Sequence, residues 1–350
     1  MRIVIATVQV PFVRGGAESH AQGLLNALCQ AGHQVDIVTI PFKWYPAETI
    51  LDHMLGSRLI DLSAADGHAV DLMVGLRFPA YLASHPRKIL WILHQYRSAY
   101  DLWDHPLGDL HRAASGLQVK AAIRAADGQV LRESRAVFAN SQNVARRLKE
   151  FCGFSCEPLY HPPPHDTKFY TAAPEDYLFF PSRINPTKRQ HLVIEALAIT
   201  RRPVRIKFCG GTSTPEYLAS LKDLASKLRL KDRVEFCGEI SEEQKRDLYA
   251  RCRAVIFPPV DEDYGYITLE AMLSAKPVIT CSDSGGTLEF VQHGITGLVA
   301  APEPTSLADA IDQIWDNSKT GVQMGEAGRE LYKGTRISWE TVVRRLTACA

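Results

Sequence analysis

Short apolar runs that alternate with helix-length amphipathic stretches constrain this chain more than any other feature. RIVIATV, QVDIVTI, DLMVGL, KILWILH and RAVFAN are spaced by segments such as GAESHAQGLLNALCQAG. Strands apolar on both faces with helices between them are the pattern of βαβ units, whose parallel sheets are covered on each side. The rhythm stops at HPPPHDTKFYTAAPED, where Pro162, Pro163 and Pro164 can continue neither a helix nor a central strand, so this stretch reads as a linker. It resumes with YLFFPS, RIKFCGG, RVEFCGEI, AVIFPP, PVITCS and GLVA. The expected fold class is therefore α/β, with two doubly wound domains in tandem. Their predicted bounds are 1–163 and 174–330, followed by a helical 331–350 without a strand. Ser241 with Gln244 predicts a capping box ahead of KRDLYARC, and Asp309 is placed near the start of the helix SLADAIDQIWDN.

Composition excludes other classes. At 46% hydrophobic and 23% charged residues the 350-residue chain is an ordinary globular one. Forty basic against thirty-nine acidic residues leave no broad field for coating nucleic acid. Eight cysteines without a CxxC pair read as reduced, mostly buried thiols of a cytosolic chain. IVIATVQV runs directly into RGGAESH and is read as a first strand rather than an export signal. No apolar run approaches the roughly 18 residues that span a bilayer.

In open parallel sheets ligands bind beyond the carboxyl ends of the strands, so the strand-to-helix junctions are where chemistry is sought. At the first, Gly15 and Gly16 allow close backbone approach at a helix start, where an anion is favoured. This is not a GxGxxG dinucleotide motif. In the second, YLFFPSRINPTKRQHLVIEAL, Arg183 and Lys188 lie five residues apart with Pro186 between them; they read as a diphosphate clamp or as two solvated cations. In AVIFPPVDEDYGYITLEAMLSAKPVITCSDSGG, Glu262 and Glu270 flank Gly265 and a helix expected to begin near Tyr266. The backbone N–H groups from Gly265 through Tyr266, Ile267, Thr268 and Leu269 can meet sugar hydroxyls or phosphate.

Taken together, these landmarks resemble the retaining glycosyltransferases of family 4, with the GT-B architecture of two facing Rossmann-like domains. The family's Glu, seven residues, Glu element fits Glu262 through Glu270, including the LEAM ending. The stretch KPVITCSDSGGTLEFVQHGITGLV is similar to the segment that follows it, and SWE at 338–340 resembles a closing helix that returns to the first domain. The resemblance implies transfer of a hexose from a GDP- or UDP-sugar, with retention, to a saccharide or lipid-linked saccharide in glycan assembly. It implies no metal and no cofactor besides the nucleotide sugar.

The resemblance also implies roles. His94, after KILWIL, would contact the donor sugar, Arg183 and Lys188 the leaving diphosphate, and Glu262 the transferred sugar. Gly16 would lie beside the diphosphate, Glu270 at the ribose, and Gly210, Gly211, Gly238 and Glu239 at the base. Gly15, Tyr96 and Trp103 are assigned to the acceptor, although such aromatic residues also pack locally.

Departures from the family pattern mark this chain. Arg189 stands where Gly is common and is expected to add a cation to the phosphate site. Gln95 replaces an Asp after the His, and Pro-Pro-Pro-His-Asp replaces Gly-Val-Asp. Asp261-Glu262-Asp263 matches a metal-binding DxD formally but is read as part of the Glu element, and His161 and His165 as hinge surface. The basic stretch from His111 to Lys149 is read as a solvated face, with a peripheral dock on the inner face of the membrane as its alternative. A nucleotide-sugar 2-epimerase and a non-catalytic sugar binder are the competing functions.

Overall fold

The computed structural model describes residues 1–12, 15–212 and 214–350. It divides into two compact units, Met1–Pro164 with Ile337–Ala350, and His165–Arg336. The division falls inside HPPPHDTKFYTAAPED. The first unit runs β1 (Arg2–Gln9), α1 (Gly16–Gln30), β2 (Gln34–Pro41), α2 (Thr49–Leu59), a hairpin of β3 (Ala64–Ala65) and β4 (His68–Ala69), β5 (Leu72–Gly75), β6 (Lys88–Ile92), α3 (Gly116–Glu133), β7 (Ala136–Ala139), α4 (Gln142–Cys152) and β8 (Glu157–Pro158). The second runs β9 (Leu178–Phe180), α5 (Gln190–Ile199), β10 (Ile206–Cys209), α6 (Pro215–Lys227), β11 (Val234–Gly238), α7 (Glu242–Arg251), β12 (Ala254–Ile256), α8 (Tyr266–Leu273), β13 (Val278–Cys281), β14 (Gly297–Ala300), α9 (Pro304–Asp316) and α10 (Ser318–Thr335). A last helix, α11 (Trp339–Thr347), belongs to the first unit.

Each unit is built on one six-stranded sheet, ordered β2-β1-β5-β6-β7-β8 in the first and β11-β10-β9-β12-β13-β14 in the second. Every pairing within them is parallel; Ile5, for example, lies opposite Ile37 on one side and Val74 on the other. The two-residue period of a strand then sorts the apolar residues to two faces. In the first unit Ile3, Ile5, Leu72, Val74 and Trp91 pack with Leu24 and Leu28 of α1 and with Val342 and Leu346 of α11. Ala6, Met73, Leu90 and Ile92 point the other way, onto Val119, Ile123 and Val130 of α3. In the second unit Leu178 and Phe180 join one core and Phe179 the other.

α11 is capped by Ser338, whose Oγ accepts from the Thr341 N–H at 3.2 Å. Its Trp339 rests on Gly23 of α1, where a Cβ would lie 2.4 Å from the ring. The same cluster holds His161, which is 1% exposed, stacked on His20 at 4.1 Å and edge-on to Trp91 at 5.4 Å. His161 is thus an interior residue and not hinge surface: its ring fills the space between two tryptophans. His165, in contrast, is exposed.

Two further expectations are corrected. All eight cysteines are free, but only Cys209, Cys252 and Cys281 are fully buried; Cys29 is exposed and the other four are half-buried. Asp309 is the sixth residue of α9, because Pro304 at the first helical position starts that helix two residues earlier. The Ser241 and Gln244 capping box forms, with bonds of 3.1 and 2.9 Å.

Candidate functional site

In the second sheet the chain leaves β9 toward β10 and β11 on one side and later returns to β12 and β13 on the other. The order therefore reverses between β9 and β12, and the loops after these two strands open a crevice at their carboxyl ends. Asn185 shapes the loop after β9: its Oδ1 accepts from the Thr187 N–H at 3.0 Å and from the Thr187 hydroxyl at 2.8 Å. The short turn Pro186–Lys188 aims Lys188 across the crevice, where its ammonium pairs with the Glu262 carboxylate from the β12 loop. The two side chains are 17% and 18% exposed, and the ammonium lies 5.5 Å above the Phe257 ring. The Val260 N–H, donating to the Thr187 carbonyl at 2.8 Å, ties the loops together. Arg183 is exposed and, among the described residues, has no ion-pair partner. An anion entering here can take over the Lys188 ammonium from Glu262.

Arg189 does not add a cation to this site. It is 8% exposed, with Nε and Nη2 donating to the carbonyls of Pro258 and Pro259 at 2.6 Å each. Nη1 and Nη2 hold Asp283 in a fork at 2.9 and 2.6 Å. Its backbone is left-handed, at φ 58°, a conformation that Gly adopts without strain. Arg189 accepts that conformation and uses its fork to brace the loop that presents Glu262.

Glu262 itself sits in a crowded turn. The Gly286 N–H donates to its carbonyl at 2.7 Å, and a Cβ on Gly286 would lie 2.6 Å from the Asp263 carbonyl oxygen. Gly265 follows as the left-handed residue, φ 74°, from which α8 starts at Tyr266. Glu262 lies before that helix and Glu270 in its second turn, and the Thr268 N–H donates to the Gly265 carbonyl at 3.2 Å.

Glu270 is 4% exposed and already engaged. Its Oε1 accepts from Lys245 Nζ at 2.9 Å and its Oε2 from the Tyr249 hydroxyl at 2.7 Å. Sequence reasoning missed both partners. Their signal is the i,i+4 spacing that puts them on one face of α7. Burial and the Glu270 charge push the Tyr249 hydroxyl far above its ordinary range.

At the ends of β10 and β11, the Gly210 N–H donates to the Gly238 carbonyl at 2.8 Å. A Cβ on Gly210 would lie 2.4 Å from the Ser182 carbonyl oxygen, so the strand ends approach as closely as backbones can. Gly211 lies against the exposed Glu239, 2.4 Å from Oε1 for an added Cβ. These four residues thus lie at the same carboxyl end of the sheet as Arg183.

In the first unit the order reverses between β1 and β5. Gly15 is the N-cap of α1, and its N–H donates to Glu18 at 2.7 Å. Arg77, after β5, donates to the other Glu18 oxygen at 2.9 Å. Gly16 is the first residue of this helix. Glu18 and Arg77 were not legible as a pair. His94 follows β6, and its Nδ1–H donates to the Gln95 carbonyl at 2.8 Å. Gln95 is buried and donates to Cys152 Sγ at 3.0 Å, so it anchors the turn. Tyr96 is half-buried against Phe42 and Phe78, at ring distances of 6.2 and 5.6 Å. Trp103 carries the Lys120 ammonium 3.8 Å from its ring centre. Both aromatic residues pack locally.

Among the described residues, no group of three His, Cys, Asp or Glu side chains is placed to hold a metal ion. Among the same residues, no helix is long and apolar enough to cross a membrane.

Residues 166–331 match the family described as glycosyl transferases group 1. The chain is 36% identical over 154 residues to the alpha-1,3/1,6-mannosyltransferase ALG2 of Dictyostelium discoideum, covering 41% of this chain and 36% of that one. It is 29% identical over 175 residues to the D-inositol 3-phosphate glycosyltransferase of Corynebacterium urealyticum, covering 48% of this chain and 41% of the relative. Each alignment thus spans less than half of the relative's length. Among solved structures, sucrose-phosphate synthase from Thermosynechococcus elongatus superimposes with a TM-score of 0.80 at 18% identity over 100% of both chains. HepE of Anabaena, solved with UDP and glucose, does so with a TM-score of 0.72 at 19% identity over 99% of each. At such identities these two likenesses report the fold.

Proposed function

Residues 166–331 match the glycosyl transferases group 1 and the chain has the GT-B fold, and from that premise we propose that it transfers a hexose from a nucleoside diphosphate sugar to an acceptor hydroxyl, with retention. The observation that supports this reading is the second unit's switch point, where the loop after β9, which carries Arg183 and Lys188, is joined by the Lys188–Glu262 ion pair to the loop that leads into α8. A diphosphate fits such a place: a fork and a point charge neutralise it, and the positive end of a helix dipole favours its oxygens.

In this account the donor diphosphate displaces Glu262 from Lys188. The carboxylate, released beside Gly265, then accepts from hydroxyls of the sugar. The bond from the anomeric carbon to the phosphate oxygen breaks as the acceptor oxygen bonds to the same face. The acceptor's proton passes to the departing phosphate. Arg183 and Lys188 stabilise the charge that grows on the leaving group. Glu270 serves the ribose, too far from the anomeric carbon to take part in a covalent intermediate.

The donor is a UDP- or GDP-sugar and the acceptor a saccharide, free or lipid-linked, met in the cytoplasm or at the inner face of the membrane. Support comes from the mannosyl- and inositol phosphate glycosyltransferases among the relatives and from the UDP bound in HepE. Calorimetric titration with UDP, GDP and ADP and with their sugars tests the reading. Micromolar binding of one nucleoside diphosphate is expected, and absence of binding by all three would refute it. Formation of an epimer from the donor without an acceptor would favour a 2-epimerase instead.

A further inference from the structure

We infer that Lys245 and Tyr249 are positioning residues that hold Glu270 as a charged, oriented acceptor for the ribose of the donor nucleotide. The inference rests on the reading that a nucleoside diphosphate binds beside α8, and it adds to that reading a part for α7.

The geometry is more specific than packing requires. Tyr249 is fully buried, edge-on to Phe179 at 4.9 Å and to Phe169 at 5.7 Å, so its hydroxyl is fixed where it donates to Glu270 Oε2. Lys245 bridges two carboxylates, Glu270 at 2.9 Å and Glu242 at 3.0 Å. Burial opposes the Lys245 charge, but the two carboxylates outweigh it and raise its pKa. A carboxylate this buried is costly without such partners.

What remains on Glu270 matters for a ligand. Each carboxylate oxygen offers two acceptor positions, and α7 occupies one on each. One free position per oxygen suits the two vicinal hydroxyls of a ribose, both acting as donors. Without Lys245 the carboxylate loses the partner that orients its Oε1, and that paired acceptor is lost.

The test is calorimetric titration of the full chain with UDP, GDP and ADP, and with the 2′,3′-dideoxy counterpart of whichever binds. Wild type should bind the ribonucleotide about 10-fold or more tightly than the dideoxy form, the size of hydrogen bonds to a charged group. Lys245→Met should shrink that ratio to about 2-fold while leaving dideoxy affinity unchanged. A general loss of structure would weaken both nucleotides alike. Lys245→Arg should keep most of the ratio, and Tyr249→Phe should reduce it in part even if Lys245→Met does not fold. A full ratio in Lys245→Met or in Tyr249→Phe overturns the inference and leaves the donor reading standing. A wild-type chain that binds none of the three nucleotides overturns both.

Discussion

Lys188 and Glu262, 74 residues apart in sequence, form an ion pair across the point where the strand order of the second sheet reverses. Glu262 thereby holds the ammonium that a diphosphate would need. Glu262→Gln should free Lys188 and tighten binding of the bare nucleoside diphosphate several-fold. Transfer should slow about 10²-fold, because the amide is a poorer acceptor for the sugar. Comparing nucleotide Kd with kcat for this variant checks both halves.

Arg189→Gly sets two effects against each other. Glycine relieves left-handed strain of about 1 kcal/mol. It also removes a fork whose bonds, being charged, are worth roughly 1.5–3 kcal/mol each. The second effect should win, with a net loss of about 2 kcal/mol or more by thermal or urea unfolding. Activity should fall about 10-fold, because the Pro258 and Pro259 carbonyls then lose the brace behind Glu262.

Much of this fold was legible because its strands are apolar on both faces, which is why RIVIATV and YLFFPS stand out without any alignment. The start of α8 at Tyr266 was legible from Gly265. The brace by Arg189 was not, since its meaning depends on a left-handed backbone and on Asp283, 94 residues away. Glu18 and Arg77 are hidden for the same reason, being joined only when β1 and β5 become neighbours. His161 misled because a histidine beside three prolines reads as loop, whereas here the ring is carried into the first unit's core.

Gly23→Ala should destabilise the first unit even though alanine is the better helix former by about 1 kcal/mol. The new methyl would lie 2.4 Å from the Trp339 ring, and moving that ring opens the contact between α1 and α11. Overpacking of this kind costs about 1–3 kcal/mol. Thermal unfolding, with limited proteolysis after residue 336, measures it. Restoration by Trp339→Phe in the double variant would support the contact as the cause.

The first unit should also be sensitive to mild acid. Burial lowers the His161 pKa to about 3 and, together with the nearby His161, holds His20 well below the ordinary histidine range. The unfolded chain binds these protons below about pH 6.5, and the folded one does not. Stability is therefore full above pH 6.5 and falls as the pH drops toward 3. At pH 5, 1.5 units down, His161 alone costs about 2 kcal/mol. His161→Phe, which keeps an aromatic ring in place, should flatten the fall in melting temperature between pH 7 and 5. An unchanged slope would rule out this residue as its source.

The central claim is that Arg183 and Lys188 carry the charge of a departing nucleoside diphosphate. Steady-state transfer by Arg183→Ala and Lys188→Ala, with the donor identified by titration, tests it most directly. Each variant should lose about 10²-fold or more in kcat while remaining folded. Transfer at near wild-type rates by both would contradict the assignment of this crevice to the donor.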